Sequence, residues 1–166
     1  YGGTAPENYQ RYFVPAIGGP FAVDLIEDAA LTPGERVLDV ACGTGVVTRL
    51  AAERVGPSGM LAALDVNPAM LSAARSIPSS GATIQWYETS AEAMPLPEGA
   101  FDVVLCQLGL QFVADKKAAL REMRRVLVPG GRVLVSVPPP NAFFDVLDDA
   151  LLRHVGDEAA GFVRMV

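Results

Sequence analysis

A short stretch before residue 50 joins an acidic side chain to a pair of glycines. Residues 38–45 have the sequence LDVACGTG, so Asp39 closes an apolar run and Gly43 and Gly45 follow it closely. Glycines at the end of a strand let the backbone turn tightly and approach a ligand. A second carboxylate, Asp65, follows twenty positions after Gly45 at the end of the next apolar run. That spacing is typical of a site where a carboxylate accepts hydrogen bonds from ribose hydroxyls.

The position of Asp39 separates two classes of ligand. A pyrophosphate on the glycine loop would be repelled by this carboxylate, whereas a ligand that carries an ammonium group and a sulfonium would be attracted. Thr48 stands where a dinucleotide fingerprint has its third glycine or alanine. A glycine pair alone is more often only a tight turn, but together with Asp39 and Asp65 it favours a site for a cationic cofactor.

The elements that position these residues alternate between apolar runs and amphipathic helices, which is typical of a parallel sheet covered on both faces. Ligands of such sheets bind beyond the carboxyl ends of the strands, where Asp39, Asp65 and Gln107 lie. Asn67 and Pro68 predict a helix start, with Asn67 as the cap. The predicted strands are Arg36–Val40, Met60–Asp65, Thr83–Glu88, Phe101–Gln107 and Arg132–Val137.

Length and composition limit the class of protein. The 166 residues fit one domain, 1–166, and contain no apolar run of the roughly 20 residues that a membrane-spanning helix needs. The start lacks the pattern of a signal peptide, so we expect a soluble, cytoplasmic protein. A net charge of −6 without a basic cluster argues against nucleic-acid binding. Cys42 and Cys106 form no CxxC pair, and no metal-ligand spacing is present, so no metal is expected.

Four segments together resemble the class I S-adenosylmethionine-dependent methyltransferases, in the branch of ubiquinone/menaquinone-biosynthesis and small-molecule methyltransferases. The segments are LDVACGTG, ALDVNPAML, SAEAMPLPEGAFDVV and LREMRRVLVPGGRVLVSV, and the resemblance runs from Tyr9 to Val137. It implies a Rossmann-like, doubly wound α/β fold with a mainly parallel sheet. It also implies S-adenosyl-L-methionine as cofactor and S-adenosyl-L-homocysteine as product.

The resemblance also assigns the methionine and ribose contacts of the cofactor. The backbone of Gly43, Thr44 and Gly45 would pass close to the methionine part. Asp39 would help to hold the amino group, and Asp65 would accept the ribose hydroxyls.

The adenine contacts follow from the same resemblance. Val66 and Met70 would flank the ring. The family often has an aspartate for the adenine amino group where this chain has Ser90, so the Ser90 hydroxyl or the Ala91 backbone would take that contact. Ser90 has an equally weighted alternative, which is to satisfy a loop amide.

Residues after the fourth strand are placed near the reacting atoms. Cys106 and Gln107 would lie near the sulfonium, although Cys106 is also explained as a small buried hydrophobic residue. Leu108 and Gln111 would line the acceptor. No catalytic residue is assigned, because His154 fits a surface or capping position better than a general base.

The leading segment, 1–30, is interpreted as a lid with leading helices, and 35–137 as the cofactor-binding core. Tyr9 and Phe13, one helical turn apart, would line the lid over the cofactor. Packing of these two rings against the sheet edge is an equal alternative.

The implied function is in-line transfer of a methyl group to a small, partly hydrophobic acceptor. Two alternatives stay open: a non-enzymatic scaffold or partner-binding module with the same pocket, and a nicotinamide-dependent dehydrogenase. We also expect the domain to lack its last two strands, because the residues after a predicted helix at 142–154 are too few for both. The strand at Arg132–Val137 would then have an exposed edge.

Overall fold

A computed structural model describes residues 5–137 and 152–153. The chain divides into two compact units, 1–136 and 137–166, and the first unit contains the following elements. The helices are α1 (Ala5–Asn8), a π-helix (Tyr9–Gly18), α2 (Gly19–Ala29), α3 (Val46–Val55), α4 (Pro68–Ser76), a 3₁₀ turn (Leu110–Phe112) and α5 (Lys116–Val126). The strands are β1 (Arg36–Val40), β2 (Met60–Asp65), β3 (Ile84–Glu88), β4 (Phe101–Gln107) and β5 (Leu127–Ser136).

The five strands form one parallel sheet in the order β3-β2-β1-β4-β5. The chain proceeds from β1 to β2 and β3 on one side and then returns to place β4 and β5 on the other side. The strand order therefore reverses between β1 and β4, and this is the point where open α/β sheets bind their ligands. The predicted α/β fold with a parallel sheet is confirmed.

Helices cover both faces of the sheet. Successive side chains of each strand point to opposite faces, so both faces carry apolar side chains that must be buried. On one face α2 and α3 pack around Val37, Leu61 and Val103. On the other face α5 packs around Leu38 and Val104. Both groups of strand residues are at most 1% exposed, so the sheet that carries the site is a rigid platform.

Three strand boundaries differ from the sequence prediction, and one of them is the end of β5, which lies at Ser136 and not at Val137. β3 begins at Ile84, one residue later, and β5 begins at Leu127, five residues earlier. The chain enters β5 directly from α5, and the pairing with β4 shifts register between Phe101 and Val103. Proline and glycine, as at Pro129 and Gly130, are not typical of a strand interior. The sequence pattern therefore places the start of β5 after them, which is too late.

The outer side of β5 has no strand neighbour within residues 5–137. Most of the predicted helix at 142–154, and His154 with it, lies outside the described residues, so the expectation about the last two strands stays a prediction. No helix in the described ranges is long and apolar enough to cross a membrane.

Candidate functional site

The glycine loop after β1 is tied to the end of β2. The backbone N–H of Gly43 donates to Asp65 Oδ2 at 2.8 Å, and the N–H of Asn67 donates to Asp65 Oδ1 at 2.9 Å. Ala41 and Gly43 have φ values of 57° and 55°, so the chain turns sharply as it leaves the sheet. Each carboxylate oxygen keeps a further lone pair for a ligand hydroxyl.

Asp39 lies beneath this loop and is 1% exposed. Its Oδ2 accepts a 2.5 Å hydrogen bond from Thr48 Oγ1 in α3. Burial raises the pKa of Asp39 to about 7, the charge of Asp65 adds to the rise, and the Thr48 hydrogen bond opposes it. A buried carboxylate of this kind gains from a cationic group brought close to it. Thr48, at the position where a dinucleotide fingerprint has its third glycine or alanine, is thus a hydrogen-bond partner of Asp39.

The α4 start is organised as the sequence predicts. Asn67 Oδ1 accepts from the N–H groups of Ala69 and Met70, which confirms Asn67 as the cap. Val66, just before the cap, is 66% exposed, and Met70 is partly buried. An apolar side chain left this open beside Asp65 is available to cover a flat ring.

Ser90 follows β3 and makes a local turn. Its Oγ accepts from the N–H of Glu92 at 3.1 Å, so the loop-amide alternative describes the bond that Ser90 makes. Ala91 is buried at 6% exposure and packs in the core on the α5 side. The Ser90 oxygen retains a lone pair, and the adenine contact of these two residues stays a prediction.

The residues at the end of β4 border the reversal point from the other side. Cys106 is fully buried, and burial raises the pKa of its thiol to about 12, so it is a neutral thiol at pH 7. Gln107 Nε2 donates to the Gly18 carbonyl at 2.9 Å, and Gln111 Nε2 donates to the Leu108 carbonyl at 2.9 Å. The two amide groups are therefore fixed through their nitrogen ends.

Buried oxygen atoms without a hydrogen-bond partner mark this region. A buried acceptor without a donor costs about 1–3 kcal/mol, so such groups are rare unless a ligand completes them. The fit to a polar ligand is good, because the unpaired atoms include oxygens of the glycine loop and of the β4 exit. They are Thr44 Oγ1, Gln107 Oε1, Gln111 Oε1 and, in the π-helix, Gln10 Oε1.

The π-helix places an aromatic pair over the loop. The rings of Tyr9 and Phe13 stack with centroids 4.7 Å apart, and a Cβ added to Gly43 would lie 3.9 Å from Tyr9 Cε1. Burial raises the pKa of Tyr9, and the charges of Asp65 and Asp39 raise it further. The charges of the two carboxylates thus reach Tyr9, and cofactor contact by Tyr9 and Phe13 stays a prediction.

The sequence does not single out Arg49, which the structure places against the loop. Its Nη1 donates to the Thr44 carbonyl at 2.8 Å. The only available signal is its position one turn into α3, four residues after Gly45. Among the residues that the structure describes, no group of three His, Cys, Asp or Glu side chains is arranged to hold a metal ion.

Comparisons with known proteins support a common origin. Residues 37–131 match the family described as "Methyltransferase domain". The ubiquinone/menaquinone biosynthesis C-methyltransferase UbiE of Hahella chejuensis is 43% identical over 113 residues, which cover 66% of this chain and 45% of that protein. The UbiE of Cupriavidus metallidurans is 37% identical over 142 residues, covering 82% and 58%. The chain thus spans about half the length of the curated relatives that it matches.

Solved structures share the fold. The [4+2]-cyclase SpnF has a TM-score of 0.60 at 27% identity, covering 70% of this chain and 43% of that one. A SAM-dependent methyltransferase from Aquifex aeolicus has a TM-score of 0.69 and covers 93% of this chain and 89% of its own. At 19% identity, the second likeness shows the fold alone.

Proposed function

This chain belongs to the class I S-adenosylmethionine-dependent methyltransferases, related to the UbiE branch, and from this premise we propose that it transfers a methyl group from S-adenosylmethionine to a small acceptor. The observation that carries the proposal is the Asp65 carboxylate. It accepts from the Gly43 N–H and lies at the carboxyl end of β2, next to β1, and its oxygens keep lone pairs for ligand hydroxyls.

In this proposal the chain holds the cofactor by three kinds of contact. The backbone of Gly43, Thr44 and Gly45 lies against the methionine part, and the buried Asp39 carboxylate attracts the ammonium group. Asp65 accepts the ribose hydroxyls. The adenine lies beside α4 and the β3 exit, against Val66, Met70, Ser90 and Ala91.

S-adenosylmethionine, when bound, would supply an electrophilic methyl group on a sulfonium, with S-adenosylhomocysteine as the leaving group whose sulfur keeps the electron pair. The chain aligns the reactants and excludes water, and alignment alone contributes several kcal/mol. The β4 exit, with Cys106 and Gln107, borders the sulfonium in this arrangement. Leu108 and the fixed amide of Gln111 border the acceptor. An apolar wall with two unpaired amide oxygens favours a partly hydrophobic acceptor that carries a donor group.

The two alternatives differ in what they predict for binding and turnover. A nicotinamide-dependent dehydrogenase would place a pyrophosphate beside Asp39, where the carboxylate repels it. A non-enzymatic scaffold would bind the cofactor without turning over an acceptor. Because the [4+2]-cyclase SpnF shares this fold, the fold does not by itself fix the reaction.

Calorimetric titration separates these cases. We expect S-adenosylmethionine and S-adenosylhomocysteine to bind and NAD to give no measurable heat at the same concentrations. Incubation with the methyl donor and a panel of small hydroxylated and amino-bearing aromatic acceptors should then release S-adenosylhomocysteine. NAD binding at comparable affinity contradicts the proposal, and cofactor binding without turnover of any acceptor favours the scaffold.

Cofactor binding should depend on pH through Asp39. The folded pKa of this group is about 7 and lies above its ordinary value, so the proton must leave before the carboxylate can attract an ammonium group. Affinity is therefore expected to fall as pH drops below about 7. Titrations between pH 5.5 and 8.5 test this, with Asp39→Asn as the variant that should bind weakly at every pH. A wild-type affinity that is flat across the range contradicts the assignment of Asp39.

Other expectations stay predictions: a single domain over 1–166 with a lid at 1–30 and a core at 35–137, a cytoplasmic location, and the absence of a nucleic-acid partner. Sedimentation of the purified chain would give the oligomeric state.

A further inference from the structure

The two glycines of the loop face different neighbours. A Cβ on Gly43 would point toward Tyr9 of the π-helix, at 3.9 Å. A Cβ on Gly45 would lie 2.9 Å from Trp86 Cη2 and 3.1 Å from Arg49 Nη1. We call the side of the loop that faces the π-helix its front, and the side that faces Trp86 and Arg49 its back.

Arg49 is attached to the back of the loop at two points. Its backbone N–H bonds to the Gly45 carbonyl at 3.1 Å, and its Nη1 bonds to the Thr44 carbonyl at 2.8 Å. A hydrogen bond from a charged donor is worth about 1.5–3 kcal/mol, more than one between neutral groups. The guanidinium thus restrains the oxygen end of the peptide between Thr44 and Gly45, whose N–H donates to the Cys42 carbonyl at 2.8 Å.

The charge of Arg49 also acts on the acidic site. Burial lowers its pKa, while the charge of Asp39 raises it, and the guanidinium stays protonated at neutral pH. In return, Arg49 favours the ionised form of Asp39. The other groups that act on Asp39 or feel its charge are Asp65 on β2, Thr48 on α3, Tyr9 on the π-helix, Cys42 in the loop and Cys106 on β4.

We propose that Arg49 is a positioning residue for cofactor binding: its guanidinium holds the Thr44 carbonyl from the side of the loop that faces Trp86, and it places a positive charge against the glycine loop. The inference rests on the proposed function, because it takes the glycine loop and Asp39 to contact S-adenosylmethionine. Arg49 itself touches no reacting atom. Its effect should appear both in the affinity and in the pH at which affinity declines.

The test compares the wild type with Arg49→Met, Arg49→Gln and Arg49→Lys by calorimetry with S-adenosylhomocysteine from pH 5.5 to 8.5. Arg54→Met is the matched control, because Arg54 is in the same helix but exposed. Arg49→Met should bind roughly tenfold more weakly at pH 8, because the ligand would then have to order the loop that Arg49 restrains in the wild type. Its affinity should also begin to decline at a higher pH than in the wild type. Arg49→Lys should restore the wild-type pH dependence, and Arg54→Met should change neither quantity.

Arg49→Gln keeps a hydrogen-bond donor but removes the charge, so it tests the charge alone. It also serves as the test if Arg49→Met does not fold. It should shift the decline upward in pH with a smaller loss of affinity at pH 8. If the affinity of Arg49→Met or Arg49→Gln declines at the same pH as that of the wild type, the proposal is overturned. This holds even where the affinity itself is lower, because a purely structural role would lower affinity without moving the pH of the decline. If the wild type binds neither S-adenosylmethionine nor S-adenosylhomocysteine, the proposed function fails and this inference fails with it. A failure confined to the Arg49 variants leaves the proposed function intact.

Discussion

Asp65→Ala is expected to weaken S-adenosylhomocysteine binding roughly 10- to 150-fold. A hydrogen bond to a charged group is worth about 1.5–3 kcal/mol, and in the proposed binding mode Asp65 accepts the ribose hydroxyls. The same change also removes the partner of the Gly43 N–H, so the loop keeps only the bond from the Cys42 N–H to the Leu64 carbonyl of β2. The dissociation constant from calorimetry is the measurement.

Glu88→Ala provides the matched control for this prediction. Glu88 pairs in register with Asp65 at the end of the neighbouring strand β3, and it is exposed. Its removal should leave the affinity within about twofold of the wild type. Equal losses in the two variants would show a general effect of negative charge at this edge of the sheet, and an unchanged affinity in Asp65→Ala would exclude the ribose assignment.

Gly45→Ala should lower the free energy of unfolding by about 2–5 kcal/mol. Gly45 has a φ of 78°, and an L-residue in that conformation costs about 1–2 kcal/mol. The new Cβ would also lie 2.9 Å from Trp86 Cη2, and overpacking of this kind costs about 1–3 kcal/mol. Chemical denaturation measures the change. Within the protein, the new side chain would meet Trp86 and Arg49.

Gly99→Ala separates the two costs. Gly99 has a similar φ of 62°, but a Cβ there would have no neighbour within 4 Å. It should lose only the backbone cost of about 1–2 kcal/mol. If Gly45→Ala is no more destabilising than Gly99→Ala, then the side chains of Trp86 and Arg49 move aside at little cost. The loop would then be less closely packed than the structure shows.

The parts of the site that the sequence predicts are those fixed by local patterns. Apolar runs of strand length place Asp39 and Asp65 at the carboxyl edge of a parallel sheet, and the Asn67-Pro68 pair fixes the start of α4. These features depend on burial periodicity and capping, which act over a few residues.

The parts that escape prediction depend on contacts between distant segments. Ala41 and Leu108 have positive φ values, which residues with a side chain disfavour. Each follows the end of a buried strand, β1 or β4, and the packing there, not the local sequence, accounts for these values. The hydrogen bond of Gln107 to Gly18 joins positions 89 residues apart. The π-helix at Tyr9–Gly18 is set by tertiary context in the same way, since the helical spacing of Tyr9 and Phe13 fits an ordinary α-helix equally well.

The place of Trp86 has a practical consequence for spectroscopy. The chain contains a single tryptophan, and its indole edge lies directly behind Gly45. Any ligand that shifts the loop or the Arg49 side chain must alter the surroundings of that indole. Intrinsic fluorescence excited at the red edge of the tryptophan band therefore reports on one location, without labelling and without a second emitter to subtract. Stopped-flow mixing could follow the glycine loop through this native chromophore in real time.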